Sequence, residues 1–394
     1  MPGLVGGFGN NISSFVCFIS HKVKDIYPIL KFSSSSIFHT NNSNKELNSV
    51  APRLINMFNN DNFRSYLAGL IEGNGTFALH NKNSTSIKYL PHIIIVFKLT
   101  DLPLAEYLQQ ITQCGKVYNK PNRGYVIWQI KDIVSVFIIA NLINGYMRTP
   151  KIESLHRTIN WIQNYIINNQ NQLHRAPLPA PHHTGEAEAN TYASKLNQIQ
   201  KILSKFNIHS IEIKSNDISE IDSNAWLSGF SDADANFSIN IHRRTNKNRV
   251  QLYYKLEIKQ TYNKLDLYEN KVSFFPIMSK IAGFLGVSVN SRSRVLNSNN
   301  KEFYSFTVVA HNKNSLLKIT NYFNKFPLLS SKYLDYKDFQ ELLILSLQTI
   351  LPPANQNNSP LFAEYLNEVM KIRKDFNSTR TTYHWSHLKN CKYY

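Results

Sequence analysis

Two nine-residue segments hold the residues best placed to do chemistry. The first, Leu67–Gly75, reads LAGLIEGNG, and the second, Leu227–Ala235, reads LSGFSDADA. Their inner glycines, Gly69 and Gly229, stand 160 positions apart (229 − 69). Small residues recur four apart in each, Gly69 with Gly73 and Gly229 with Ala233, on one face of a helix. Glycine inside a helix costs about 1 kcal/mol relative to alanine, so such a pair needs a packing reason, the close approach of a second backbone. Both segments end in polar groups, Glu72 and Asn74 in one and Asp232 and Asp234 in the other. A strand predicted directly afterwards turns them out of the core. Hard divalent ions such as Mg²⁺ take oxygen ligands of that kind, shared with phosphate and water. Two such ions would activate a water and stabilise the leaving oxygen of a phosphodiester. A single copy could equally be an ordinary apolar helix with an acidic last turn. Two copies need a common scaffold.

The predicted elements supply one. Folded structure is expected from Asp61, with Asn60, Asp61 and Asn62 as candidate helix caps and a helix from Phe63 to about Gly73. Strands Thr76 to Lys82 and His92 to Thr100 follow, the second rich in Ile and Val. A helix from Asp101 carries Leu104, Tyr107, Leu108 and Ile111 at helical spacing and ends at Gly115. Strands Lys116 to Asn119 and Gly124 to Ile130 precede a helix that opens near Asp132 and stops at Gly145. The second half repeats the order. It predicts a helix Ser223 to Ala233, strands Asn236 to His242 and Gln251 to Gln260, and a helix Phe274 to Leu285. Strands Val287 to Arg294 and Phe303 to Ala310 and a helix Asn314 to Phe323 complete it. This is αββαββα twice, an internal repeat.

Strand alternation sorts the faces. Phe77 and Leu79 point inward, leaving Thr76, Ala78, His80 and Lys82 on the outer face. Phe237, Ile239 and Ile241 point inward, leaving Asn236, Ser238, Asn240, His242 and Arg244 outside. The second row is richer in polar donors than a merely solvated face requires, and such donors read base edges in the major groove.

Composition fits a polyanion as partner. The 394 residues carry 44 Lys plus Arg against 26 Asp plus Glu, a net charge of +18. Binding to phosphates would then be steeply salt-dependent. With 42% hydrophobic and 12% aromatic residues the chain can build a sizeable core. Cys17, Cys114 and Cys391 lie far apart, which excludes a disulfide framework and a cysteine-built zinc site. No apolar run approaches the ~18 residues of a membrane span. The Ser- and Asn-rich stretches of residues 11–60 read as a leader of low order, and Ala176–Pro181 with His182–Gly185 as a polar, Pro-rich linker. The organisation expected is a leader over residues 1–60, a first domain over 61–170, a linker over 171–215 and a second domain over 216–394. The last ends in a basic tail with Arg373, Lys374, Arg380, Lys389 and the aromatic run RTTYHW.

The two segments and the repeat that holds them resemble the LAGLIDADG family of homing endonucleases and maturases. The resemblance covers about Asp61 to Leu388 apart from the linker. It implies an α+β fold of two pseudo-symmetric αββαββα domains whose antiparallel sheets form a saddle. The motif helices would pack at the interface through Gly69, Gly73, Gly229 and Ala233. It implies a Mg²⁺-dependent, site-specific cut in a long, asymmetric double-stranded DNA site by a monomer. The family carries its metal-binding acid at the eighth motif position. Asp234 fills it in the second motif; Asn74, a neutral amide, stands there in the first, so one half-site is expected to be impaired. Glu72 and Asp232 are acids the family often has two positions earlier, and are expected to be structural or peripheral and not replacement ligands. The resemblance also suggests Gln260 as a solvent-ordering residue, and Lys131 and Lys313 as basic partners of the scissile phosphate. The stretch FPLLSSKYLDYKDF (326–339) resembles the family's terminal region, with no evident catalytic duty.

Met1 to Asn10, MPGLVGGFGN, resembles a piece of the largest cytochrome oxidase subunit. That implies a reading frame running from an exon into an intron, and an organelle-encoded protein of the mitochondrial matrix. Two functions compete: a DNA endonuclease that propagates its intron, and a maturase that binds its own group I intron RNA, which needs no two-metal site. A structural RNA-binding protein of the ribosome would explain the charge but not the paired motifs.

Overall fold

The computed structural model describes residues 54–79, 89–173, 194–202, 204, 211–244, 247–265, 270–296, 301–348, 360–391 and 393. Residues 50–394 form one compact unit, and all that follows concerns it. Residues 1–53 of the leader, the Pro-rich stretch 176–185, His80 and Lys82 lie outside the described residues.

The repeat takes the order the periodicities predict. In the first half, α1 (Asp61–Asn74), β1 (Gly75–Ala78), β2 (His92–Lys98), α2 (Leu102–Thr112), β3 (Lys116–Lys120), β4 (Tyr125–Ile130) and α3 (Ile133–Ile143) follow one another. A long helix, α4 (Ile152–Leu173), is added to them. The second half runs α5 (Trp226–Asp234), β5 (Ala235–Arg244), β6 (Lys247–Lys259), a hairpin of β7 (Thr261–Leu265) and β8 (Lys271–Ser273), α6 (Phe275–Leu285), β9 (Val289–Leu296), β10 (Lys301–Ala310) and α7 (Lys313–Lys325). Then come α8 (Lys332–Gln348) and α9 (Pro360–Ile372). Each half has a four-stranded antiparallel sheet, ordered β1-β2-β4-β3 and β5-β6-β10-β9. This is a mixed α+β architecture.

Local chemistry sets the boundaries. The Asn60 side chain accepts from Phe63 N at 2.9 Å and Asp132 accepts from Ser135 N at 2.8 Å, each satisfying an orphan donor of a helix start. α2 ends on Gln113 in the left-handed region, and Gly115 follows at φ +70°. Inward residues alternate along the strands: Ile93, Ile95 and Phe97 on β2 and Val126, Trp128 and Ile130 on β4 are all buried. The α3 sequence IVSVFIIANLI is buried along its whole length, the signature of a helix with no solvent face.

The core extends beyond the predicted domains in two places. Residues 54–58 are helical with Leu54 and Met57 buried, so packing begins before Asp61. Within the expected linker, residues 194–202 are helical and Leu196, Ile199 and Ile211 are buried. Farther along, Asp217 pairs with Arg148 at 2.7 Å. The tail also packs rather than projecting. Arg380 is buried between Asp335 and Asp338, and the buried Tyr393 ring lies 5.3 Å from that of Tyr66. No helix among the described residues is long and apolar enough to cross a membrane.

Candidate active site

The two motif helices, α1 and α5, pack on each other through their glycines. A Cβ added at Gly69 would lie 2.1 Å from the Trp226 carbonyl oxygen, and one at Gly229 would lie 1.9 Å from that of Tyr66. Gly73 faces Ala233 and the Asp234 carboxylate equally closely: a Cβ there would sit 2.1 Å from Ala233 Cβ and 2.8 Å from Asp234 Oδ2. Only residues without a side chain permit this approach, and it carries the acid of one motif to the backbone of the other.

Glu72 and Asp232 hold the frame in place from equivalent positions. The Glu72 carboxylate accepts from Thr149 N at 2.6 Å, Arg148 N at 3.0 Å and Trp226 Nε1 at 2.5 Å. Asp232 accepts from Leu329 N at 2.8 Å, Ser330 Oγ at 2.5 Å and Tyr66 OH at 2.7 Å. Each buried acid therefore ties the loop after its own half's last αββαββα helix to the opposing motif helix. Burial pushes both carboxyls up, Asp232 to about 6, while these donors hold the rise back.

A lysine, buried in the first half and half-buried in the second, caps each helix end, where the last carbonyls have no partner within the helix. Lys151 Nζ donates to Ile71 O at 3.1 Å and Gly75 O at 2.8 Å; Lys332 Nζ donates to Ser231 O at 3.1 Å and Ala233 O at 3.0 Å. Burial lowers both to about 8; Glu72 and Asp234 support the Lys151 charge, and Asp232 and Asp234 that of Lys332. Asp234 is raised by burial and drawn back by Lys332, Lys151 and Lys259. Lys259 closes β6, and Lys98, at the matching end of β2, acts on Lys332. One carboxylate is thus ringed by cations. Beside it opens a cleft of about 380 Å³ lined by Lys151, Asp234, Glu257, Lys259, Arg294 and Phe303.

The other sequence-predicted residues fall in several places. Asn74 ends α1 and is half-buried, the counterpart of Asp234. Thr76 is exposed and Ala78 half-buried, both on the outer face of β1; Ala78 has no polar group to offer. Asn236 and Ser238 share the outer face of β5 and bond to each other, Ser238 Oγ donating to Asn236 Oδ1 at 2.6 Å. Asn240 and His242 are exposed farther along it, while Arg244 is described only as backbone. Lys131 and Lys313 are exposed at the starts of α3 and α7. The register places both away from the strand ends that flank Asn74 and Asp234, so they do not join this cluster. Gln260 follows the last residue of β6; its amide donates to Ser291 Oγ at 2.6 Å, while Lys259, one residue earlier and so on the other face of the strand, presents its charge to Asp234.

Sequence reasoning missed all four lysines. Lys98 and Lys259 were legible as the last outward residues of two equivalent strands. Lys151 and Lys332 were harder to find, each lying beyond a loop; the only hint is that small polar residues precede both, in RTPK and LSSK.

Comparison with known proteins agrees with this frame. The family model described as LAGLIDADG endonuclease matches residues 67–162 and 227–343, which carry both motifs, both sheets and both capping lysines. An intron-encoded DNA endonuclease of Saccharomyces cerevisiae, aI3, is 40% identical over 400 residues, covering 99% of this chain and 81% of that protein. An uncharacterized cox1 intron-2 protein of Schizosaccharomyces pombe is 25% identical over 352 residues, covering 89% and 84%. The same fold is found in the I-LtrWI LAGLIDADG homing endonuclease bound to target DNA, with 16% identity and a TM-score of 0.50 over 83% of this chain and 100% of that one. I-SmaMI bound to cleaved DNA matches at 16% identity and a TM-score of 0.51 over 81% and 98%. With paired motif helices, repeated sheets and a relative of this identity along nearly its whole length, the chain belongs to the LAGLIDADG endonuclease family.

Proposed function

We propose that this chain is an intron-encoded, site-specific DNA endonuclease that acts as a single chain and breaks one strand of its target faster than the other. The observation that carries this reading is the imbalance at the motif helix ends: one carboxylate, Asp234, one neutral amide, Asn74, and cations from both halves around them. The relatives support the reaction class, since aI3 is named as an intron-encoded DNA endonuclease. The cox1 intron of the second relative favours a mitochondrial origin.

The oxygen donors fit one hard divalent ion, which Asp234 would hold with help from the Asn74 amide oxygen. They do not fit two, because Glu72 and Asp232 spend their oxygens on backbone and side-chain donors in the interior. Among the described residues no group of three or more His, Cys, Asp or Glu is placed to hold a metal by itself, so phosphate and water must complete the shell. When bound, such an ion supplies a more acidic water and a polarised phosphoryl oxygen.

The chain's own groups do the remainder. Lys259 and Lys98 meet non-bridging phosphate oxygens, where charge develops as the water oxygen adds to phosphorus and the bond to the leaving oxygen breaks. Lys151 and Lys332 fix the helix ends and keep the Asp234 carboxylate aimed into the cleft.

The test is incubation of the full chain and its Asp234→Asn variant with Mg²⁺ and supercoiled plasmid carrying the intronless exon junction. Nicked circles from the parent chain and none from the variant are expected. Linear product formed with no nicked precursor overturns the one-sided site. Preferential binding of intron RNA with no strand broken moves the reading to a splicing cofactor.

A further inference from the structure

The two sheets share a register, so their outer faces can be compared position by position. Ile94 lies opposite Thr76, the first outward residue after the first motif, and Lys255 lies opposite Asn236, the first after the second. Two residues on, Val96 corresponds to Glu257. Across the next ladder, Ile127 opposite Val96 corresponds to Thr307 opposite Glu257. At the far edge, Tyr118 corresponds to Asn290. The first sheet is therefore aliphatic or aromatic at Ile94, Val96, Ile127 and Tyr118, where the second carries Lys255, Glu257, Thr307 and Asn290; only beside Ile94 does the pattern reverse, with Gln129 in the place of Val309. In the second sheet Glu257 sits among Lys255, Arg294 and Arg292, at 2.7, 3.2 and 3.7 Å.

The aliphatic patch is not displaced core. Phe97 and Trp128, on the opposite face of the same strands, are buried, whereas Val96 is 42% and Tyr118 38% exposed. Ile94, Val96 and Ile127 take no part in the hydrophobic cluster. Lys98, Lys116 and Lys120 are exposed around the patch, on the same side of the sheet. The pattern is an apolar centre with a cationic rim.

Resting on the DNA reading above, we infer that the first sheet reads a thymine-rich half-site through the C5-methyl groups of its bases. Aliphatic side chains neither donate nor accept hydrogen bonds, so a guanine, cytosine or adenine edge held against them would lose the water that satisfied it. The thymine methyl is the one apolar group on the major-groove edges. The lysine rim meets the flanking phosphates, which position the duplex without reading it. The second sheet, with Lys255, Glu257, Thr307 and Asn290 in the corresponding places, reads its half-site by hydrogen bonds. The two halves thus differ in the kind of contact as well as in sequence.

The full chain, without divalent ions, is used to select duplexes from a randomised pool, and the half facing the first sheet is identified as the one whose selected sequence changes in Val96→Asn. That half should be thymine-rich. Replacing its thymines by deoxyuridine, which removes only the methyl, should weaken binding about fourfold per contacted base. The same replacement in the other half should change affinity by less than about twofold. Val96→Asn should lose the discrimination at its contacted base while circular dichroism shows the fold retained. A selected duplex whose uracil form binds equally well in the first half overturns this inference and leaves the DNA reading standing. A pool from which no sequence is enriched overturns the DNA reading, and this inference with it.

Discussion

Glycine-to-alanine substitutions at three helical positions should have opposite signs. Gly69, Gly229 and Gly283 all sit within helices, and local propensity alone gives each alanine about 1 kcal/mol of stabilisation. Packing separates them. At Gly69 the new methyl meets Trp226 O at 2.1 Å and Phe230 N at 2.8 Å; at Gly229 it meets Tyr66 O at 1.9 Å and Leu70 N at 2.8 Å. These are backbone atoms of a fully buried partner helix, and no rotamer change can move them. Ordinary contact lies near 3.5 Å or beyond, so the helices must part by more than an ångström. Overpacking costs about 1–3 kcal/mol, and a backbone clash belongs at the upper end. Net of the propensity gain, Gly69→Ala and Gly229→Ala should each lose about 2 kcal/mol. Gly283 is exposed on α6 with nothing within 4 Å of an added Cβ, so Gly283→Ala should gain up to about 1 kcal/mol.

Urea midpoints followed by circular dichroism read all three, and the double variant reads the coupling. Once one methyl has parted the helices, the second finds part of its space already open. Gly69→Ala with Gly229→Ala should therefore lose about 1 kcal/mol less than the sum of the singles. Strictly additive losses would mean that the two clashes are independent. A rise in stability at Gly69 or Gly229 like that at Gly283 would refute the close helix contact, and with it the reason Asp234 reaches the opposite motif.

Asn74→Asp should raise second-strand cleavage at least about tenfold, which asks only about 1.4 kcal/mol of the transition state, seen as nicked circles turning to linear plasmid. Stability should rise from pH 7.5 to 9.5. Lys151 and Lys332 titrate near pH 8 when folded and near 10.4 when unfolded, so between those values the unfolded chain holds more protons and loses ground as pH rises. At pH 9.5 each lysine contributes up to about 2 kcal/mol, opposed by about 1.4 from Cys114, whose buried thiol is pushed up to about 12. Above pH 10 the buried tyrosines, Tyr66 and Tyr322 among them, reverse the trend because they ionise only on unfolding. Lys332→Met should remove about three quarters of the net rise in a urea series across pH. Arg380→Met leaves Asp335 and Asp338 without their cation and should cost about 3 kcal/mol, read by the urea midpoint and by earlier proteolysis of the tail.

Much of the frame was legible because it rests on local rules that repeat. Glycines four apart declared a close helix contact, the Ile- and Val-rich run HIIIVFK declared a strand, and Asn60 and Asp132 marked helix starts. Local rules failed where the deciding partner is distant in the chain. Lys151 is polar and follows a proline, which reads as a solvated loop; its burial comes from the α1 carbonyls some 80 residues earlier. The hairpin of β7 and β8 was invisible in the periodicity, so the end of β6 at Lys259 was not legible. Arg380 read as a basic tail residue, since nothing nearby in sequence announces Asp335 and Asp338 as its partners.

The two halves differ where difference costs the fold least. Tyr66 and Trp226 repeat the same bond across the interface, to Asp232 and Glu72, and Lys151 and Lys332 repeat the same cap within each half, so losing one takes a partner from a buried carboxylate or a helix-end carbonyl. Asn74 stands outside that exchange. Asp234 already bears a desolvation penalty that three lysines only partly offset. A second carboxylate at the equivalent helix end would add repulsion between like charges, whereas a neutral amide adds none. Stability alone would thus favour asparagine at this one position, and only the demand for a second strand cut would favour the acid.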